Sequence, residues 1–207
     1  MPSFLLNRAI DLAMLWNRVR YRRPLLRATV DPQRAQRALL KKILANNANT
    51  AFGRQHQFSN VKSPDEYRDS VSVYDYDMLA PYIEQQIDGA NALTCDAPQF
   101  YARTSGTTGR HKDIPLTAAG IRQVRRAQKQ LAVTLWQDTG FFNGRILGIA
   151  SSAEEGKLRN GLSFGSVSGT TYQSLSPVLS RKFVAPPNIV SLQDINTRYQ
   201  IFALTVL

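Results

Sequence analysis

The sequence predicts an α/β fold, on three observations. Two short extended segments, residues 100–103 and 113–116, bracket a loop rich in Gly, Ser and Thr. A long segment with helical periodicity, residues 118–136, follows the second of them. An apolar run holding Ile146, Leu147 and Ile149 then reads as a buried strand over residues 145–150. Strands alternating with helices in this way point to mixed sheets flanked by helices.

Taken in order, residues 4–21 form a helix, with Leu5, Leu12, Trp16 and Val19 recurring near helical spacing. Its basic far side could touch a membrane, but packing on the domain is the commoner use of such a face and is the expectation. Asp31-Pro32 is a second helix start, an N-cap acid followed by proline at the first helical position. Ala35, Leu39, Leu40, Ile43 and Leu44 line its inner face, and it fades into the asparagines at 46, 47 and 49. Ser63 and Glu66 have the spacing of a capping box. Residues 71–76 read as extended and 79–86 as a short helix closed by Gly89. Thr117 is placed to cap the long helix, and Gly140 to close it. A second small-residue loop covers residues 161–171, and the chain ends on the apolar segment 199–207. A chain stopping inside what should be a core element reads as truncation.

Composition narrows the function classes. The 207 residues are 43% hydrophobic and 20% charged, which suits a globular chain and not a disordered one. The net charge of +11 is unevenly spread: residues 1–60 carry 11 basic and 2 acidic side chains, residues 61–100 carry 2 and 8. A basic balance favours anionic partners without choosing among them. The tightest basic cluster, Arg20, Arg22 and Arg23, reads as a solvated helix end. No nucleic acid is expected, because no recognition motif or aromatic-interleaved basic stripe is present. One cysteine, Cys95, excludes an internal disulfide and a cysteine metal cluster. The apolar amino terminus is interrupted by Arg8 and Asp11, too short to span a bilayer and without a cleavage site. A cytoplasmic protein is the expectation.

The chemistry is carried by Thr104, Ser105, Gly106, Thr107, Thr108 and Gly109, followed by Lys112. Two glycines let the main chain approach a ligand closely. Successive N–H groups can converge on an anion, four hydroxyls add donors, and Lys112 adds a charge. The set suits a polyphosphate. It is not a Walker loop, since Gly-Lys-Ser/Thr is missing and Pro115 blocks an immediate helix. It is not a nucleophile elbow, since Ser105 is not framed as Gly-x-Ser-x-Gly. Asp75 and Asp77 are spaced as paired carboxylates but lack a nearby His or third acid. His56 reads as structural and His111 as solvent-facing.

Residues 104–112 resemble the phosphate-binding motif of the adenylate-forming superfamily. The continuation Lys112-Asp113-Ile114-Pro115-Leu116-Thr117 is similar to the Gretchen Hagen acyl-acid amido synthetases, the auxin-responsive promoter family. So is the stretch from Asn47 through Thr50, Phe52, Gly53, Arg54 and His56 to Phe58. Val73, Tyr74, Leu79, Pro81, Tyr82 and Ile83 stand in the family's order, as do Gly161, Leu162, Gly165 and Tyr172. The resemblance runs from about residue 35 onward.

It implies the amino-terminal part of an adenylate-forming large domain, incomplete, with residues 1–30 a basic helix, 31–207 the truncated adenylation domain and the carboxyl-terminal domain absent. It implies an ATP-dependent, Mg²⁺-requiring ligase joining a small carboxylic acid to an amino acid through an acyl adenylate. Thr104 to Gly109 would hold the β- and γ-phosphates, Lys112 would support them, and the helix after Thr117 would wall the acyl pocket. Thr170 falls where family members contact nucleotide or acyl substrate, although Gly169-Thr170 replaces the Thr-His or Thr-Asn of many plant members. No catalytic residue, metal ligand or oligomeric state is assigned, and the fragment is expected to be inactive alone. Two readings stand beside this one: an acyl-CoA ligase using a thiol acceptor, and a non-catalytic nucleotide- or nucleic-acid-binding remnant.

Overall fold

The computed structural model describes residues 3–104, 111–192 and 194–205. It is mixed α/β, as expected, and divides into two units. One comprises Met1–Leu25, Ala119–Gly156 and Ser163–Leu207; the other comprises Leu26–Ala118 and Lys157–Leu162.

The second unit holds the loop stems. Its helices are α3 (Pro32–Asn47), α4 (Ala51–Gln55), α5 (Pro64–Ser70) and α6 (Tyr76–Ile87). Asp31 caps α3 by accepting from the Arg34 N–H, and Ser63 caps α5 by accepting from Glu66. The Glu66 carboxylate reaches back one residue further than a standard box, to the Lys62 N–H. Helix α6 starts three residues earlier than expected, because Asp75 caps it at Met78. Residues 71–75 precede it without forming a strand. Asp75 is therefore a cap and not half of a carboxylate pair.

The family-like stretch at 47–58 is a self-contained turn. Thr50 donates its hydroxyl to the Asn47 carbonyl and accepts from the Gly53 N–H, at 2.8 Å each. A side chain at Gly53 would put its Cβ 2.0 Å from the Asn47 carbonyl oxygen, so only glycine fits. Phe52 packs edge-on against Phe58, Tyr74 and Tyr82. His56 lies between the Ser70 carbonyl, 2.8 Å from Nδ1, and the Tyr74 hydroxyl, 2.9 Å from Nε2. Both ring nitrogens are thus used structurally. Past α6, buried Gln86 accepts through Oε1 from the N–H groups of Ala92, Leu93 and Thr94, holding the chain reversal that leads into β1.

Strands β1 (Pro98–Arg103) and β2 (Asp113–Thr117) pair antiparallel, with Tyr101 opposite Pro115 and Arg103 opposite Asp113. Pro115 is tolerated because β2 is an edge strand. In the 157–162 segment, Arg159 donates to Asp88 and to Glu84 of α6. That hydrogen bond holds the Asp88 carboxyl below its ordinary value.

In the first unit, α1 (Ser3–Asn17) passes through a π-helical turn, Arg18–Arg22, into α2 (Arg23–Ala28), which runs on into the second unit. Helix α7 (Ala118–Asp138) carries Val133, which packs with Ile10, Met14, Phe142 and Ile146. Short strands β3 (Gly156–Lys157) and β4 (Ser163–Gly165) are followed by α8 (Val167–Gln173), α9 (Pro177–Ser180), a 3-10 turn at Pro187–Ser191 and α10 (Ile195–Leu204). A second core joins Ala153, Tyr172, Ala185, Ile189, Val190 and Phe202.

Three expectations are corrected here. Residues 145–150 form no strand: only Ile146 makes a bridge, to Phe183, while Leu147 and Ile149 are exposed. An apolar run alone cannot tell a strand from an irregular segment that buries one side chain. On α1 Ile10 and Met14 are buried and Leu6 partly so, whereas Leu5, Leu12 and Trp16 face outward. The terminal apolar segment is helical, with Phe202 buried and Tyr199 and Leu204 exposed.

Tyr101 is fully buried and Tyr172 nearly so, and burial pushes both phenols above the ordinary 10.0. For Tyr101, Asn160 and the Arg159 charge draw it partly back, though Asn160 is not in hydrogen-bonding geometry. Phenols that ionise more readily when unfolded favour the folded state fully below pH 10.0. That advantage is lost as pH rises through the raised folded values. Titration with base should therefore show phenolate absorbance of two tyrosines appearing with loss of helical circular dichroism. Early, independent ionisation of all eight tyrosines would contradict this burial.

Candidate functional site

The β1–β2 hairpin builds the base of the loop from the strand ends upward. At the last paired position Arg103 meets Asp113 in a two-pronged ion pair, Nε to Oδ1 and Nη2 to Oδ2, both 2.7 Å. Their side chains are 20% and 16% exposed, so the pair is shielded enough to be more than a surface contact. One step beyond, the Thr104 N–H donates to the Lys112 carbonyl at 3.1 Å, and the Lys112 N–H donates to Thr104 Oγ1 at 3.2 Å. The His111 ring, exposed, lies with Nδ1 3.0 Å from the Thr104 carbonyl. Two strands diverging into a loop are thus pinned by a double ion pair and three hydrogen bonds.

Tyr76, at the start of α6, joins from 37 residues away. Its hydroxyl accepts from the Asp113 N–H at 2.9 Å, and its ring lies 5.5 Å from the Lys112 ammonium. The aromatic face gives that cation a resting place at the loop base, worth about 0.5–1 kcal/mol where exposed. Lys112 is otherwise solvent-facing.

Among the expected site residues, the structure brings Thr104 and Lys112 together. Ser105, Gly106, Thr107, Thr108 and Gly109 lie outside the described residues. Thr170 belongs to the other unit, on α8, where Ser166 caps the helix by accepting from Gly169. The Thr170 hydroxyl donates to the Val167 carbonyl of its own helix at 2.9 Å. Gly169 is held close to the 151–153 backbone: an added Cβ would lie 2.4 Å from the Ser151 carbonyl oxygen. That contact explains a glycine beside Thr170. Among the described residues, no group of three His, Cys, Asp or Glu side chains could hold a metal ion.

Sequence reading did not single out Arg103, Asp113 and Tyr76 for these roles. Arg103 and Asp113 were findable, as opposite charges at facing ends of a hairpin. Tyr76 carried no such signal, since its partner is remote in the chain.

Residues 22–207 match the model of the GH3 family N-terminal domain. The chain belongs to the GH3 family. It is 24% identical over 162 residues to jasmonoyl–L-amino acid synthetase JAR6 of Nicotiana attenuata, covering 77% of this chain and 28% of that protein. It is 34% identical over 101 residues to the probable indole-3-acetic acid-amido synthetase GH3.7 of Oryza sativa subsp. japonica, covering 44% and 16%. In fold it is similar to the solved GH3.15 acyl acid amido synthetase, with a TM-score of 0.73 over 87% of this chain and 32% of that one, at 22% identity. This GH3 chain therefore spans less than a third of the relatives it matches.

If the ion pair holds the stems, removing one partner leaves a half-buried charge without its counterion. Arg103→Ala and Asp113→Ala should each cost about 1–3 kcal/mol in chemical denaturation. The double variant should cost clearly less than the two singles together. Additive losses would show that the two residues act independently.

Proposed function

We propose that this GH3 chain contributes the triphosphate-binding part of an ATP-dependent acyl-acid amido synthetase. The observation that carries the reading is the pinned hairpin. Its stems bracket seven residues between Thr104 and Lys112, a stretch rich in Gly, Ser and Thr by sequence. Main-chain amides, hydroxyls and one ammonium are the donor set a polyphosphate requires, and preorganised donors do not have to reorganise as charge develops.

In the proposed reaction a carboxylate oxygen attacks the α-phosphorus of ATP and the bond to the bridging oxygen breaks, releasing pyrophosphate. An amino-acid amine then attacks the acyl carbonyl, loses a proton and displaces AMP. Lys112 would bear on the β- and γ-phosphates, neutralising charge that grows on the leaving pyrophosphate. Thr104 Oγ1 accepts from the Lys112 N–H, and its hydroxyl would donate to a phosphate oxygen. Mg²⁺ would screen the triphosphate and enter with the nucleotide, because the described residues offer no carboxylate cluster to bind it first. Thr170, whose hydroxyl proton is engaged in α8, would accept from a substrate donor as it stands, and would donate only by exchanging that internal bond.

A small carboxylic acid and an amino acid as substrates follow from the names of the two synthetases matched in sequence. No helix among the described residues is long and apolar enough to cross a membrane. A cytoplasmic enzyme remains part of the same reading.

The test is acid-dependent exchange of labelled pyrophosphate into ATP, by a full-length polypeptide containing this chain. Exchange should occur with a panel of aryl and aliphatic acids, and Lys112→Ala should lower it about tenfold to a hundredfold. Amino acids should serve as acceptors and coenzyme A should not. Residues 1–207 alone should exchange little, given the small share of the relatives they span. Full exchange by Lys112→Ala, or thioester as the product, would sink the assignment.

A further inference from the structure

Helix α1 has two faces with different fates. Leu6, Ile10 and Met14 turn inward against Val133 and Trp136 of α7, with Ile10 and Met14 almost fully buried. Phe4, Leu5, Leu12, Leu15 and Trp16 turn the other way. Phe4 is 64% exposed, Leu12 69% and Trp16 67%. At about 100° per residue these five fall within an arc of roughly 120°, an apolar stripe about 18 Å long that Arg8 alone interrupts. Single exposed apolar residues are ordinary; a whole helix face of them is not.

The polar groups around the stripe have one sign. Arg8 lies within it, its guanidinium carbon 5.4 Å from the Phe4 ring centre, and Arg18, Arg20 and Arg23 follow on exposed positions. The one acid of this stretch, Asp11, is turned aside to accept from Trp136 Nε1 at 3.0 Å. The occupant must therefore be apolar in its interior and anionic at its surface.

We propose that α1 docks flat on an anionic lipid surface, with Leu12 and Trp16 in the acyl region and the arginines at the headgroups. Leu, Phe and Trp on one face with flanking Arg is the chemistry such interfaces select. A second copy of the chain fits worse, because face-to-face pairing would bring the arginines together. The stripe lies outside residues 22–207, which the family model matches. The helix is too short and too interrupted to cross a bilayer and would lie on it.

Co-sedimentation of the 207-residue chain with phosphatidylcholine vesicles, with and without phosphatidylglycerol, tests this. Partition should be about tenfold or more higher on the anionic vesicles and should fall with salt. Leu12→Glu, at an exposed position, should lower it about tenfold with unchanged circular dichroism, and R18Q/R20Q should abolish the preference for phosphatidylglycerol. In the unmutated chain, nitroxide-labelled acyl chains should quench tryptophan fluorescence, since Trp16 is exposed while Trp136 packs in the core. No partition to either vesicle, binding unaffected by Leu12→Glu, or tryptophan shielded from the label by self-association would each overturn the proposal.

Discussion

The structure around the loop depends on one electrostatic contact, the double-pronged pairing of Arg103 with Asp113. Backbone hydrogen bonds alone hold the loop end of the β1–β2 pair weakly, and closing a loop costs entropy that favours separating its ends. A guanidinium and a carboxylate at facing positions oppose that tendency where it is greatest. The same aspartate offers its N–H to Tyr76, so the second stem is tied to α6 as well as to the first stem. Lys112, the next residue along, inherits its direction from both constraints.

Much of the remaining family pattern is scaffold. The 47–58 stretch is recognisable because its residues satisfy one another, as Thr50 does with Asn47 and Gly53 and as His56 does with Ser70 and Tyr74. Of the proposed site residues, Lys112 is exposed to solvent and rests near the Tyr76 ring.

The fold was legible where local chemistry decides local structure. Asp31 and Ser63 started helices as their side chains dictated, and two extended segments flanking a glycine loop became a hairpin. It was illegible where tertiary partners decide. Periodicity placed Leu5, Leu12 and Trp16 on one face of α1 correctly but could not say which face meets the core, because Leu6, Ile10 and Met14 are equally apolar. Ile146, Leu147 and Ile149 look alike in sequence, and only Ile146 finds a neighbour to cover it. At the site, Thr104 and Lys112 were readable from composition, whereas Tyr76 was not.

The turn around Thr50 has a kinetic meaning too. Its hydrogen bonds from Thr50 to Asn47, Gly53 to Thr50 and Phe58 to Gly53 join residues only three to five positions apart. Contacts of such low sequence separation close in well under a millisecond, ahead of pairings that must gather distant strands. This segment is thus suited to be the seed on which α6 and the hairpin assemble. A nascent chain would possess it long before the loop it supports has been synthesised.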